Sequence, residues 1–249
     1  MIQLEAIETA YGTIKLLKNR TTGALTYELG GRSQSAADGN GVSLASYIHA
    51  IFGLLSQAKA RGILLIGGAG GTLGTLLARA RRKVSIVDVN PVSFALAKQY
   101  FGLPDQVACH VADGGAFLRA DASRYDAIVL DAFHGDFIPS HLRSATFFEL
   151  AREHLTPGGA MFANVHVKHD FDDYADIVAK TMKTAWADVR VLDAEGVIER
   201  NAIVMAGRVS RLRAPDLLVR PQFNAGAIEE ELSRLRFRAW KSSRWDFGS

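Results

Sequence analysis

Four apolar segments of this chain each end in residues that could do chemistry: Gly67 to Gly71, Asp88, Asp113 and Asp131. The glycine run follows Ile63–Ile66, and glycines let a backbone turn tightly and approach a ligand closely. The helix expected after it offers free N–H groups. A strict dinucleotide fingerprint needs glycine at its first, third and sixth positions, and the sixth from Gly68 is Leu73, so the run reads equally as a structural strand–helix turn. Asp88 lies 21 residues beyond Gly67, the interval at which an acidic side chain meets ribose hydroxyls. A carboxylate suits that task because it accepts both hydroxyl protons; the plainer alternative is a surface acid at a strand end. Asp113, followed by Gly114, could accept from an adenine amino group or cap a helix. Asp131 stands where a reacting group belongs. Carboxylates gathered on one rim are costly without partners, and a cationic ligand carrying ribose and adenine supplies them.

The elements that position these residues alternate from Arg61 onward. GILLIGG, KVSIVDVN, QVACHVAD, YDAIVLDAF and AMFANVHV read as strands separated by helical segments, with TPGG as a turn before the last of them. DVRVLDA and NAIVMAG follow as two late strands with only a short link, which suggests an antiparallel edge. Repeated βα units imply an α/β fold, a mostly parallel seven-stranded sheet covered by helices on both faces, and ligands in such sheets sit beyond the carboxyl ends of the strands. The first fifty residues differ. GTIKLLKN and ALTYELGG read as short strands joined at Asn19–Gly23, RSQSAADGNG as a polar loop, and residues 42–59 as a helix. The expected organisation is a small N-terminal β-unit (1–50), a Rossmann-like nucleoside-binding domain (51–207) and a C-terminal extension (208–249).

In order and spacing, ILLIGGAGGTLG, VDVNP, ADGGAFL, YDAIVLDAF and LTPGGAMFANV resemble the class I methyltransferase fold, and more specifically the spermidine synthase (polyamine aminopropyltransferase) group. GDFIPSHLRSATFFELAREHLTPGG and the N-terminal YGTIKLL…SQSAADGN…Y resemble that group too, so the likeness covers roughly residues 5–207. It implies a role for Gln34 in contacting a nucleoside, for Gly67, Gly68, Gly70 and Gly114 in cradling it, for Asp88 on the ribose and for Asp113 on the adenine. It implies that Asp131 orients the attacking amine or takes its proton and that Tyr47 lies near the amine; in an aminopropyl transfer Asp136, Tyr47 and His134 would hold the amine's far end. Some positions depart from the group's pattern. GGGDGG reads GGAGGT here, which puts Gly70 where an acid would hold the donor's ammonium. Asp88 replaces the usual glutamate and Asn90 a second acid; Tyr47 is followed by Ile48 and His49 rather than His-Glu, and His134 stands in place of an aspartate. The resemblance implies aminopropyl transfer from decarboxylated S-adenosylmethionine to a small amine, and a homodimer. Methyl transfer from S-adenosylmethionine, or nucleoside binding without catalysis, are the alternatives that the missing acids motivate.

Composition bounds the rest. Hydrophobic residues at 48% allow a sizeable core. A net charge of +3, from 29 basic and 26 acidic residues, is too small to argue for nucleic acid. Arg234, Arg236, Arg238, Lys241 and Arg244 cluster late and read as a solvated helix face and tail, with Trp240 and Trp245 packing that tail on the main domain. One cysteine, Cys109, allows no internal disulfide, no signal peptide or membrane span is readable, and the expected setting is cytoplasmic. The histidines are scattered without metal-ligand spacing, so no metal is expected, and only His134 is placed near the site.

Overall fold

The computed structural model of the protein describes residues 1–240. Its first part is an antiparallel meander of β1 (Ile2–Thr9), β2 (Gly12–Lys18), β3 (Leu25–Leu29) and β4 (Arg32–Ala37). Alternation drives it: Ile14 and Leu16 of β2 are buried while Lys15 between them is exposed. With Tyr27 and Ala37 they pack on Leu96 and Phe101, so the meander sits on the helix containing Leu96. The polar loop expected from residue 32 is instead the strand β4. Gly30 and Gly31 both take positive φ (58° and 79°), the geometry that closes a two-residue hairpin in the hand of the strand twist. Ser33, Gln34 and Ser35 of β4 line a cavity rather than a core. That polarity hides the strand pattern.

The helix α1 (Ser46–Gln57) begins later than expected from residue 42, because Val42 and Leu44 still exchange backbone hydrogen bonds with Asp38 and Ala36. Next come β5 (Gly62–Ile66), α2 (Thr72–Arg79), β6 (Lys83–Asp88), α3 (Pro91–Tyr100), β7 (Ala108–Val111), α4 (Gly114–Ala120) and β8 (Tyr125–Leu130). After them come α5 (Ala145–Glu153), β9 (Leu155–Val167), α6 (Tyr174–Met182), β10 (Val189–Asp193), β11 (Arg200–Gly207), α7 (Ala225–Arg234) and β12 (Arg236–Arg238). The segment expected as one helix from His141 is divided: Ser144 caps α5 by accepting from the Phe147 N–H, and a single 3-10 turn precedes it. The expected turn Thr156–Gly159 lies inside β9. It loops out of the pairing, since Tyr125 pairs with Leu155 and Ala127 with Ala160.

The second sheet runs β12-β10-β11-β9-β8-β5-β6-β7. The five strands from β9 to β7 are parallel, and β11 is antiparallel to both β9 and β10. It is the mostly parallel, doubly covered sheet that the βα alternation implies, with an eighth short strand added by the C-terminal extension. Ile63 and Leu65 of β5 pack with α1 and α2 on one face, Leu64 and Ile66 with α4 and α5 on the other. Burial on both faces is why β5 reads as an unbroken apolar run. No helix among the described residues is long and apolar enough to cross a membrane.

β12 is held by charge. Asp193, 1% exposed, accepts from Arg200 Nε at 2.7 Å and Arg238 Nε at 3.0 Å, and Arg238 Nη1 reaches Asp176 at 2.7 Å. Arg238 is therefore not part of a solvated face, unlike Arg234, whose partner Glu230 is exposed. Trp240 packs against the core cluster to which α5 and α6 contribute, while Lys241, Arg244 and Trp245 lie outside the described residues. Burial pushes the Asp193 carboxyl up, but the two guanidiniums outweigh it and hold it below the usual range. Arg238→Ala strips a guanidinium from two buried carboxylates and should cost about 3 kcal/mol of stability, read from the midpoint of urea unfolding at neutral pH. The contribution of Asp193 is full above the ordinary aspartate value of about 3.9 and is lost as pH falls through its depressed value. The gap between wild type and variant should therefore narrow in acid.

Candidate functional site

Strand order reverses between β5 and β8, and the crevice above their carboxyl ends is the site. The Asp131 N–H donates to Ile66 O at 2.8 Å and the Gly67 N–H to Val87 O at 2.8 Å, so the backbone stays paired up to the branch point. Gly67 has φ +94°, and a Cβ there would stand 2.2 Å from the Asp131 carbonyl oxygen. A Cβ on Gly114 would lie 2.4 Å from Ile66 Cγ2, which is how closely α4 approaches β5. Asp88 Oδ2 accepts from the Gly68 N–H at 2.8 Å, and its Oδ1 from the Asn90 N–H at 2.8 Å, so this carboxylate also shapes the glycine loop. Asn90 caps α3 through the Val92 N–H and donates to Thr9 Oγ1, a structural use of a position where the resemblance has an acid. Gly70 faces the small sheet. Its N–H donates to Ser35 Oγ at 3.1 Å, and a Cβ would stand 2.8 Å from Ser35 Cβ. It lines neither of the two cavities at this site.

One of these cavities, about 570 Å³, is lined by Asp88, Asp113, Gly114, Gln34 and His134. Asp113 Oδ1 caps α4 through the Ala116 N–H at 2.9 Å, and its Oδ2 meets His141 Nε2 at 2.6 Å. Burial raises the Asp113 carboxyl, yet the Ala116 N–H and His141 together bring it below its ordinary value. The second cavity, about 430 Å³, is lined by Tyr47, Asp131, Asp136, Asn164, His166 and Glu199. The two share Gln34, Gly67, Gly68 and Asp131, so they meet at that carboxylate. Asp131 Oδ1 accepts from Asn164 Nδ2 at 2.8 Å and Oδ2 from the Tyr47 hydroxyl at 3.4 Å. Asn164 Oδ1 in turn accepts from Asn201 Nδ2 at 3.0 Å. Burial pushes the Asp131 carboxyl above its usual value although both neighbours stabilise the anion. The Tyr47 hydroxyl is held well above its own by burial and by the Asp131 charge. Asp136 is paired with Arg32 and, at 3.2 Å, with Lys168.

Residues 46–192 match the model of the spermine/spermidine synthase domain. The chain belongs to this family. It is 31% identical over 162 residues to a probable polyamine aminopropyl transferase of Bifidobacterium longum, covering 64% of this chain and 36% of that protein. It is 32% identical over 119 residues to a polyamine aminopropyltransferase of Vibrio vulnificus, covering 45% and 40%. The matches thus span well under half the length of these curated relatives. A probable spermidine synthase structure from Corynebacterium glutamicum superposes with a TM-score of 0.78 at 21% identity, covering 95% of this chain and 90% of that one. A spermidine synthase solved in complex with the transition state analogue AdoDATO gives 0.67 at 14%, covering 92% and 84%. Both likenesses carry the fold.

Gln34, Gly67, Gly68, Asp88, Asp113, Gly114 and Asp131 therefore surround a common crevice, with Tyr47 and Asp136 on one side of it. His134 lies on the Asp88–Asp113 side, apart from Tyr47, and it is not the sole histidine at the site: His141 and His166 line it as well. Sequence reasoning passed over Asn164, although a lone amide in the apolar run AMFANV signals a buried polar group with a purpose. No local pattern marks Asn201, Arg32 or Glu199. Among the described residues no group of three His, Cys, Asp or Glu side chains could hold a metal ion. Gly67→Ala forces a methyl into the Asp131 main chain and an L-residue into left-handed space. It should cost about 3 kcal/mol or more, seen as a lowered Tm, and should weaken nucleoside binding by calorimetry.

Proposed function

We propose that this chain transfers an aminopropyl group from decarboxylated S-adenosylmethionine to a small amine, releasing methylthioadenosine. The observation that supports it best is the meeting of two cavities at one half-buried carboxylate: one side offers Asp88 and Asp113 to ribose and adenine, and the other opens past Tyr47 and Asn164. The names of the relatives, aminopropyl transferases, point the same way. In this reading Gln34, Gly67 and Gly68 hold the nucleoside so that the sulfonium faces Asp131. The acceptor amine, neutral when it attacks, donates a hydrogen bond to Asp131. Its lone pair forms the new C–N bond as the C–S bond breaks, and the bond pair goes to sulfur, which becomes a neutral thioether. The ammonium product then passes a proton to Asp131 and on to solvent. Alignment of nitrogen, carbon and sulfur supplies most of the acceleration. The raised affinity of Asp131 for a proton suits that role, because an ordinary carboxylate is a poor proton acceptor at neutral pH. A cytoplasmic setting and a homodimer belong to the same reading.

Methyl transfer from S-adenosylmethionine is the second reading. Gly70 is closed against Ser35, so no acid stands in the glycine loop to hold an aminopropyl ammonium or to repel a donor carboxylate. Titration calorimetry with decarboxylated S-adenosylmethionine, S-adenosylmethionine and methylthioadenosine separates the two. Tighter binding of the decarboxylated donor is expected, the opposite order favours methyl transfer, and binding of none sinks the nucleoside reading.

Asp131→Asn should lower methylthioadenosine release by about 10²- to 10⁴-fold while nucleoside affinity holds. The same substitution should raise Tm at neutral pH. A carboxyl whose folded pKa is raised favours the fold below its unfolded value and loses that contribution as pH rises through the folded one, so its ionised form is a burden at pH 7. In wild type, kcat/KM should fall in acid with a limb above the ordinary aspartate value of about 3.9; a limb at or below it removes Asp131 from proton transfer.

A further inference from the structure

A third cavity, about 740 Å³, shares no lining residue with either cavity of the crevice. It lies at the amino-terminal ends of β5 and β8, the opposite edge of the sheet: Arg61 directly precedes β5, and Asp126 is the second residue of β8. Its lining carries four cations. Lys59 and Arg61 come from the link between α1 and β5, Arg208 and Arg211 from the turn after β11. Asp126 is the one acid among the described residues that line it, and both its oxygens are in use. Oδ2 accepts from the Arg61 and Gly62 N–H groups, each at 2.9 Å, and Oδ1 from Thr156 Oγ1 at 3.0 Å. Among the described residues no carboxylate lies within ion-pair distance of any of the four cations. The walls are fixed. Gln57 of α1 donates to the Arg213 carbonyl and accepts from its N–H. Arg190, outside the cavity, donates to the carbonyls of Val209 and Leu212 at 2.8 and 2.9 Å, which holds the turn carrying Arg211. A Cβ on Gly158 would stand 3.5 Å from Arg208 Nη1, so that guanidinium lies against the Thr156–Gly159 loop.

Like charges gathered around one concavity repel, and an anion entering it relieves that repulsion. Guanidinium forks match phosphate oxygens in pairs. Cations on two separate segments suit an anion whose oxygens point several ways, as those of linked phosphates do and those of a single carboxylate do not. No aromatic side chain lines the cavity among the described residues, so it lacks the surface on which single-stranded nucleic acid stacks. We propose that this cavity binds a small anion carrying two or three linked phosphate groups, with Arg61, Arg208 and Arg211 taking its oxygens and Lys59 adding charge. The site is separate from the crevice and does not depend on which group is transferred there.

The test is calorimetric titration of sodium tripolyphosphate into the full chain at neutral pH. A dissociation constant of about 0.1 mM or tighter is expected, weakening as salt rises from about 50 to 200 mM. Arg208→Gln/Arg211→Gln should weaken binding about tenfold or more. Both arginines are exposed, and a cooperative thermal transition checks that the variant is folded. Lys15→Gln/Lys18→Gln, two exposed lysines of β2, removes the same charge far from the cavity and should leave the affinity within about twofold. Citrate, a compact tricarboxylate, should bind about tenfold more weakly than tripolyphosphate. ATP, titrated with methylthioadenosine in excess, distinguishes the sources: binding tighter than that of tripolyphosphate and lost in the arginine variant marks a nucleotide, and weaker binding an inorganic chain. No binding of tripolyphosphate, equal binding of citrate, or equal losses in the arginine and lysine variants overturns the proposal.

Discussion

The main chain of Gly67 lies so close to that of Asp131 that no side chain fits between them, and the site depends on that approach. β5 and β8 are hydrogen-bonded neighbours up to Ile66 and Leu130. Just beyond, one chain turns toward α2 and the other toward the loop before α5. The separation opens the crevice, and the missing Cβ lets the glycine loop pass over the aspartate instead of displacing it. Asp88 then fixes the loop from the neighbouring strand by accepting the Gly68 N–H. The same few atoms thus set the distance between the nucleoside side and the reacting carboxylate.

Asp131 also depends on the antiparallel half of the sheet. Its partner Asn164 stands on β9 and is itself held by Asn201 of β11. β11 pairs with β10, and Arg200, at the start of β11, binds Asp193 at the end of β10. A half-buried acid with raised proton affinity needs neighbours that hold still. The C-terminal extension, through Arg238, belongs to that support although its described residues line neither cavity.

Much of the architecture was legible because burial on both faces makes the central strands continuous apolar runs, as in Ile63–Ile66 and Ala127–Leu130. Asp88, Asp113 and Asp131 were legible for a related reason: they are the first polar groups after such runs. β4 was not, because its cavity-lining residues Ser33, Gln34 and Ser35 are polar, and β12 was not, because three residues carry no period and its place is set by ion pairs. The pairings at the acceptor side, Arg32 with Asp136 and His166 with Glu199, join segments far apart in the chain, so no local spacing announces them.

β12 has one more consequence. Without it β10 would end the sheet with a bare row of N–H and C=O groups flanked by Val189 and Val191, a template on which another chain could build. Three residues, two of them arginines, pair with Val191–Asp193 of that row and are too few to offer a long replacement. Chains truncated before Arg236 would carry this uncovered strand, and clumping would then remove the protein from solution at temperatures where its core is still folded.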